Sequence, residues 1–155
     1  MKTITVPGWG SAELENLVLD LNGTLTESGD FIPGVIDYLE KMKAEGLRIY
    51  VLSGDTRDAL KQGLEKPADV EAVITKTADE KRDFVESIGA DHTVCVGNGN
   101  IDVEMFKAAR LSICTIQAEG ATLQAMLAAD IVVTHVNQAF EILLDPRRLI
   151  ATLRY

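Results

Sequence analysis

The sequence predicts an α/β domain, a doubly wound and mainly parallel sheet sandwiched in three layers. Six short apolar runs recur along the 155 residues. Most of them are continuous rather than alternating, as strands covered on both faces require. Amphipathic stretches with helix-terminus signals separate them, which is the rhythm of a βαβ series. The residues richest in chemistry stand just after the runs, at the carboxyl edge where such sheets bind ligands.

The elements follow in order. "TITV" and "PGWGS" (3–11) read as an added edge strand or hairpin, taking in residues 1–13. The expected core strands are 17–21 (LVLDL), 48–52 (RIYVL), 70–74 (VEAVI), 93–97 (TVCVG), 111–116 (LSICTI) and 130–133 (DIVV). A first helix follows Pro33, with Ile36, Leu39 and Met42 at helical spacing, and stops at Gly46. A second starts after Asp55, whose side chain suits an N-cap. A third opens with Thr77-Ala78-Asp79-Glu80, a capping box in which Thr77 and Glu80 satisfy each other's backbone donors, and ends at Gly89. A fourth follows Gly99, a fifth spans about 121–128, and Asp145-Pro146 starts a last one over 146–155. The whole chain, 1–155, reads as one domain.

Composition narrows the partners. Hydrophobic residues make up 46% of the chain, which marks a folded protein rather than a disordered one. A formal net charge of −9 argues against nucleic acid or an anionic membrane as partner. No apolar run approaches the ~20 residues that cross a bilayer, and "MKTITVPGWG" carries no secretory apolar core. A cytoplasmic protein is expected. Cys95 and Cys114 lie inside apolar runs and read as buried free thiols.

Three of the post-strand segments, with one helix, form a constellation. Asp20, at a strand end, can act as a nucleophile toward phosphorus and form an aspartyl phosphate. Such chemistry needs charge neutralisation and donors around the transferred oxygens. Ser53 with the Gly54 amide can donate to a phosphoryl oxygen. Lys81, in the first turns of a helix aimed at the same edge, can supply the cation. Asp102 offers a hard oxygen suited to Mg²⁺, and Asn98 an amide oxygen. Lys76 competes with Lys81, but the register with Phe84, Val85 and Ile88 favours Lys81.

These residues carry a resemblance. Asp20-Leu21-Asn22-Gly23-Thr24-Leu25-Thr26 resembles the first motif of the haloacid dehalogenase superfamily, and more narrowly the "DKTGTLT" phosphorylation loop of P-type ATPases. "VLSGD" (51–55) resembles their "LTGD" segment, and "ADEKRDFVESIG" (78–89) their lysine-bearing helix, with Lys81 on the family lysine. "VGNGNID" (96–102) is similar to the metal loop "GDGxND", and "ICTIQAEGATLQAMLAADIVV" (113–133) to the stretch that follows it. The resemblance covers about residues 14 to 145. It implies a capless Rossmann-like domain of the soluble P-type-ATPase-like kind, in which only Glu27 to Phe31 separate the first motif from Pro33. It implies a Mg²⁺-dependent phosphatase with Asp20, Asn22 and Lys81 catalytic. Ser53, Gly54, Gly23 and Lys81 would hold phosphate. Asp20, the Leu21 carbonyl, Asn22, Asn98 and Asp102 would hold the metal. The substrate would be a small phosphorylated molecule or an acyl phosphate.

Two positions depart from that pattern. Asn22 stands where superfamily phosphatases carry the acid that protonates the leaving group, and an amide cannot exchange that proton. Losing a positioned acid/base costs ~10²–10⁴-fold, so slow turnover or a persistent aspartyl phosphate is expected. Asn98 replaces the acid of "GDGxND" and Ile101 its Asn, which weakens the expected metal site. The rival reading is a non-catalytic or regulatory phosphate- and Mg²⁺-binding domain. Remaining residues read as structural: His92 and His135 at strand edges, Arg147, Arg148 and Arg154 as surface charges, Trp9 as a packing anchor. An open site and an apolar terminal helix leave self-association open.

Overall fold

The computed structural model describes residues 1–54 and 70–155. Asp55 and the helix expected after it lie outside the described residues. Strands β1 (Lys2–Val6) and β2 (Gly10–Leu14) pair antiparallel with each other. The N-terminal segment is therefore a hairpin rather than an added edge strand of the main sheet. Trp9 packs beneath Arg110, whose guanidinium lies 3.8 Å from the ring centroid.

The main sheet contains β3 (Asn16–Asp20), β6 (Arg48–Ser53), β7 (Val70–Ile74), β8 (Thr93–Gly97), β9 (Leu111–Thr115) and β10 (Ile131–Val133). Its order is β10-β9-β8-β3-β6-β7, and every described pair is parallel. Winding runs outward from β3 through β6 and β7, then resumes on its other side through β8, β9 and β10. The strand order thus reverses beside β3, and a crevice opens at its carboxyl end. The miniature hairpin β4 (Thr26–Glu27) and β5 (Asp30–Phe31) occupies the short link that the sequence leaves before Pro33.

Helices α1 (Val35–Ala44), α2 (Ala78–Ile88), α3 (Val103–Ala108), α4 (Leu123–Ala128), α5 (Val136–Leu144) and α6 (Pro146–Leu153) cover the sheet. Alternate strand residues feed two cores, as the period of two dictates. Leu17, Leu19, Ile49, Val51, Val94 and Val96 pack with α1, α5, α6 and the N-terminal hairpin. Val18, Tyr50, Leu52, Cys95 and Cys114 pack with α2, α3 and α4. Three layers result, as the continuous apolar runs predict.

Helix α5 departs from the expected element list, which places no helix between β10 and Asp145. Val136, Ala139, Phe140 and Leu143 recur at i, i+3, i+4 and i+7 and are fully buried. His135 caps this helix, its Nδ1 accepting from the Asn137 amide at 3.1 Å. The capping box of α2 forms as expected: Glu80 N–H donates to Thr77 Oγ1 at 3.1 Å, and Thr77 N–H to Glu80 Oε2 at 3.2 Å. Asp145 caps α6 through the Arg147 amide. Cys95 and Cys114 are free and buried. Burial pushes the Cys114 thiol up to about 11 and the Cys95 thiol higher still, so both are inert as thiolates.

Candidate active site

Parallel pairing in register brings the post-strand residues together. Asp20 lies opposite Leu52, one residue before Ser53, and Leu19 lies opposite Val96, two residues before Asn98. Their side chains surround a cavity of about 500 Å³ lined by Asp20, Asn22, Ser53, Gly54, Lys81 and Asn98, with Thr75, Lys76, Ile101 and Glu119 at its margin. A groove of similar size between β10, α5 and α6 holds one guanidinium, Arg148, and one carboxylate, Glu141, which pair with each other.

The rear of the cavity is a buried charge cluster. Lys81, 1% exposed, places Nζ 2.7 Å from Asp20 Oδ1 and 2.8 Å from Asp102 Oδ1. Asp102 Oδ2 accepts from the backbone amides of Asn98 and Gly99, at 2.9 and 3.0 Å. Gly97 permits this packing, since a Cβ there would collide with the Asp102 carboxylate. Burial works against the Lys81 charge, but the two carboxylates outweigh it and hold its pKa above the usual lysine value. Burial raises Asp20 to about 7, Asp102 adds to the rise, and Lys81 draws it down. Loss of water around the carboxylate is thus the main cause, with the facing Asp102 charge second.

The first loop holds the other oxygen of Asp20. Thr24 Oγ1 lies 3.4 Å from Asp20 Oδ2 and 3.5 Å from Asn98 Oδ1, so these two oxygens converge on one hydroxyl. Gly23 takes φ +79°, a conformation that favours glycine, and an added Cβ would lie 2.7 Å from both Asn98 Nδ2 and Glu119 Oε2. Gln117 pins the loop from the neighbouring strand end, donating to the Gly23 and Thr24 carbonyls at 3.0 Å each.

Most of the residues expected at the site converge there, and at three positions the structure engages the expected group elsewhere. The Leu21 carbonyl accepts from the Thr24, Leu25 and Thr26 amides and the Thr26 hydroxyl, so it is consumed inside the loop. The Gly23 amide donates to the Thr26 carbonyl at 3.0 Å rather than toward the cavity. Asp102 is fully buried with both oxygens engaged, and it braces Lys81 instead of facing the cavity. Asp20 Oδ2 and Asn98 Oδ1 are the hard oxygens that converge, with Asn22 exposed beside them. That donor chemistry fits Mg²⁺, which prefers a few protein oxygens and keeps several waters.

Thr24, Thr75, Gln117 and Glu119 are absent from the expected set. The signal that finds three of them is position, because Thr75 follows β7 and "QAEG" (117–120) follows β9 at the same carboxyl edge.

No protein-family model matches the chain. An uncharacterized protein of Methanocaldococcus jannaschii is 46% identical over 61 residues, 39% of this chain and 66% of that protein. The fold is that of solved hydrolases of the haloacid dehalogenase (HAD) superfamily. In sequence, the chain is similar to a soluble P-type ATPase-like phosphatase of M. jannaschii, 24% identical over 140 residues, 87% of this chain and 51% of that protein. The chain thus spans about half to two-thirds of the curated relatives it matches. Among solved structures, 3-deoxy-D-manno-octulosonate 8-phosphate phosphatase from Moraxella catarrhalis, in complex with magnesium, phosphate and sugar acid, superposes with a TM-score of 0.70 at 14% identity. That match covers 89% of this chain and 90% of the other. A phospho-aspartyl intermediate analogue of phosphoserine phosphatase superposes with a TM-score of 0.69 at 18% identity, over 85% and 98%.

Proposed function

We propose that this protein is a slow, Mg²⁺-dependent phosphohydrolase that forms an aspartyl phosphate on Asp20. The observation that carries the reading is the placement of the Asp20 carboxylate. Oδ1 is held by Lys81, while Oδ2 sits near Thr24 at the edge of a cavity that Ser53 and Gly54 also line. One carboxylate oxygen of Asp20 attacks phosphorus, an Asp20 O–P bond forms, and the bond to the leaving oxygen breaks. Lys81 and the Ser53–Gly54 corner offset charge on the equatorial oxygens. Mg²⁺, held by Asp20 and Asn98 with Asn22 adjacent, would supply further charge neutralisation for the phosphoryl group.

Asn22 sets the substrate preference. It can donate a hydrogen bond but has no proton to release to a departing alkoxide. An acyl phosphate departs as a carboxylate and needs none. Small acyl phosphates are therefore the favoured class over alkyl phosphate esters, and water attack on the aspartyl phosphate is slow for the same reason. The moderately raised Asp20 pKa still leaves the ionised nucleophile populated above neutral pH.

Incubation with acetyl phosphate and Mg²⁺, followed by peptide mass spectrometry, is expected to find one phosphoryl group on the peptide containing Asp20. Labelling and phosphate release that persist in Asp20→Asn would sink the assignment. The two amides, Asn22 and Asn98, favour one alternative, a regulatory domain that binds phosphate and Mg²⁺ without turnover. That alternative predicts binding with no gain of turnover on Asn22→Asp.

A further inference from the structure

We infer that Glu119 supplies the anionic oxygen that Asn98 lacks, as an additional ligand for the divalent cation at the mouth of this site. The inference rests on the cation site of the proposed phosphohydrolase, and it concerns a residue of a different loop.

Glu119 follows β9, the parallel neighbour of β8, and β8 delivers Asn98. Three interactions fix its loop, one to Asn98 and two to the first motif. Asn98 Nδ2 donates to the Gly120 carbonyl at 3.1 Å, and Gln117 Nε2 donates to both the Gly23 and Thr24 carbonyls. The Asn98 amide is thereby oriented, its nitrogen committed to the Glu119 loop and its oxygen turned toward Thr24 and Asp20. Glu119 Oε2 comes to the same point above Gly23 as Asn98 Nδ2, each 2.7 Å from where a Cβ would stand. A side chain at 23 would fill that cradle, so glycine keeps it open.

The Glu119 carboxylate lines the cavity beside Asp20, Asn22 and Asn98, and it has no hydrogen-bond or ion-pair partner among the described residues. Asp20 and Asp102 already share Lys81, the only buried lysine among the described residues. Glu119 adds a further carboxylate to this edge, in a chain of net charge −9, where it raises the negative potential that attracts a cation. Hard oxygens from Asp20, Asn98 and Glu119 are the donor type a divalent cation selects. The acid missing from the loop after β8 is thus provided by the loop after β9.

The test is cation affinity, read without substrate by Mn²⁺ electron paramagnetic resonance and by Mg²⁺ competition on the full chain. Glu119→Gln is expected to weaken Mn²⁺ binding about 10–100-fold, with metal-free unfolding unchanged because Glu119 is exposed. Adding Asn98→Asp to Glu119→Gln is expected to recover most of that loss. Glu104→Gln, an equal charge change on α3 where Glu104 pairs with Lys107, is expected to leave affinity unchanged. Wild-type affinity in Glu119→Gln, or an equal loss in Glu104→Gln, overturns the inference while leaving Asp20 labelling intact. If the wild-type chain binds no Mn²⁺, the inference and the metal dependence of the proposed reaction fall together.

Discussion

Asp20 divides the site into two regions of opposite character. Behind it, Lys81 and Asp102 are buried and joined by short hydrogen bonds to each other, to Asp20 and to backbone amides. In front of it, Asn22 and Asn98 are neutral amides facing an open cavity, with Glu119 at the rim. In the proposed reaction the rear would position and neutralise the phosphoryl acceptor. The front, which would handle a proton and a cation, carries amides where the resembling family has acids. Capture of a phosphoryl group and its release would thus fall to separate halves of one pocket, which can be perturbed separately.

The largest expected effect breaks both halves at once. Asp20→Asn should lower acetyl phosphate turnover by ~10⁴-fold or more and abolish labelling of that peptide, as removing a covalent nucleophile does. Next, Lys81→Met strikes the rear alone, leaving Asp20 and Asp102 facing each other without a cation. A loss of about 3–5 kcal/mol in urea unfolding at neutral pH is expected. Asn22→Asp acts on the front alone. Turnover of an alkyl phosphate should rise ~10-fold or more while urea stability stays within error, because Asn22 is exposed.

The pH dependence separates the halves in another way. Asp20 in the folded chain holds its proton up to about 7, against 3.8 for the unconstrained group. Between these values the folded state binds the proton that the unfolded state has released. This group's contribution to stability therefore falls as pH rises from about 4 to about 7, by up to ~1.4 kcal/mol per pH unit. Unfolding measured in EDTA across that window should show the slope in the wild type and lose it in Asp20→Asn. The smallest effect lies outside the pocket. Thr77→Ala removes the capping hydroxyl of the helix that carries Lys81 and should cost about 1 kcal/mol, with labelling of Asp20 retained.

Much of this arrangement is readable in the chain itself, for identifiable reasons. Continuous runs such as Leu17–Leu19 and Thr93–Gly97 report burial on both faces, so the parallel sheet follows from pattern. Lys81 was separable from Lys76 because it shares a helical face with Val85, and both are buried. Helix α5 was missed although Val136, Ala139, Phe140 and Leu143 carry the period, because it begins only three residues after β10. Leu21 and Gly23 have their expected roles from the family resemblance, and Asp102 from its residue type and that resemblance. Their hydrogen-bond partners show where each group is spent.

The sequence by itself determined the sheet, the strand-end positions of Asp20, Ser53 and Asn98, and the two amides that depart from the family pattern. Each depends on local periodicity or on identity within a short segment. Only the tertiary structure decided which oxygens face the cavity and which are consumed, and that Asn98 and Glu119 meet above Gly23. Those facts depend on the alignment of β3, β8 and β9 and on side-chain hydrogen bonds spanning 74 to 94 residues. Pairings over such separations are set by the packed sheet, and no local pattern encodes them.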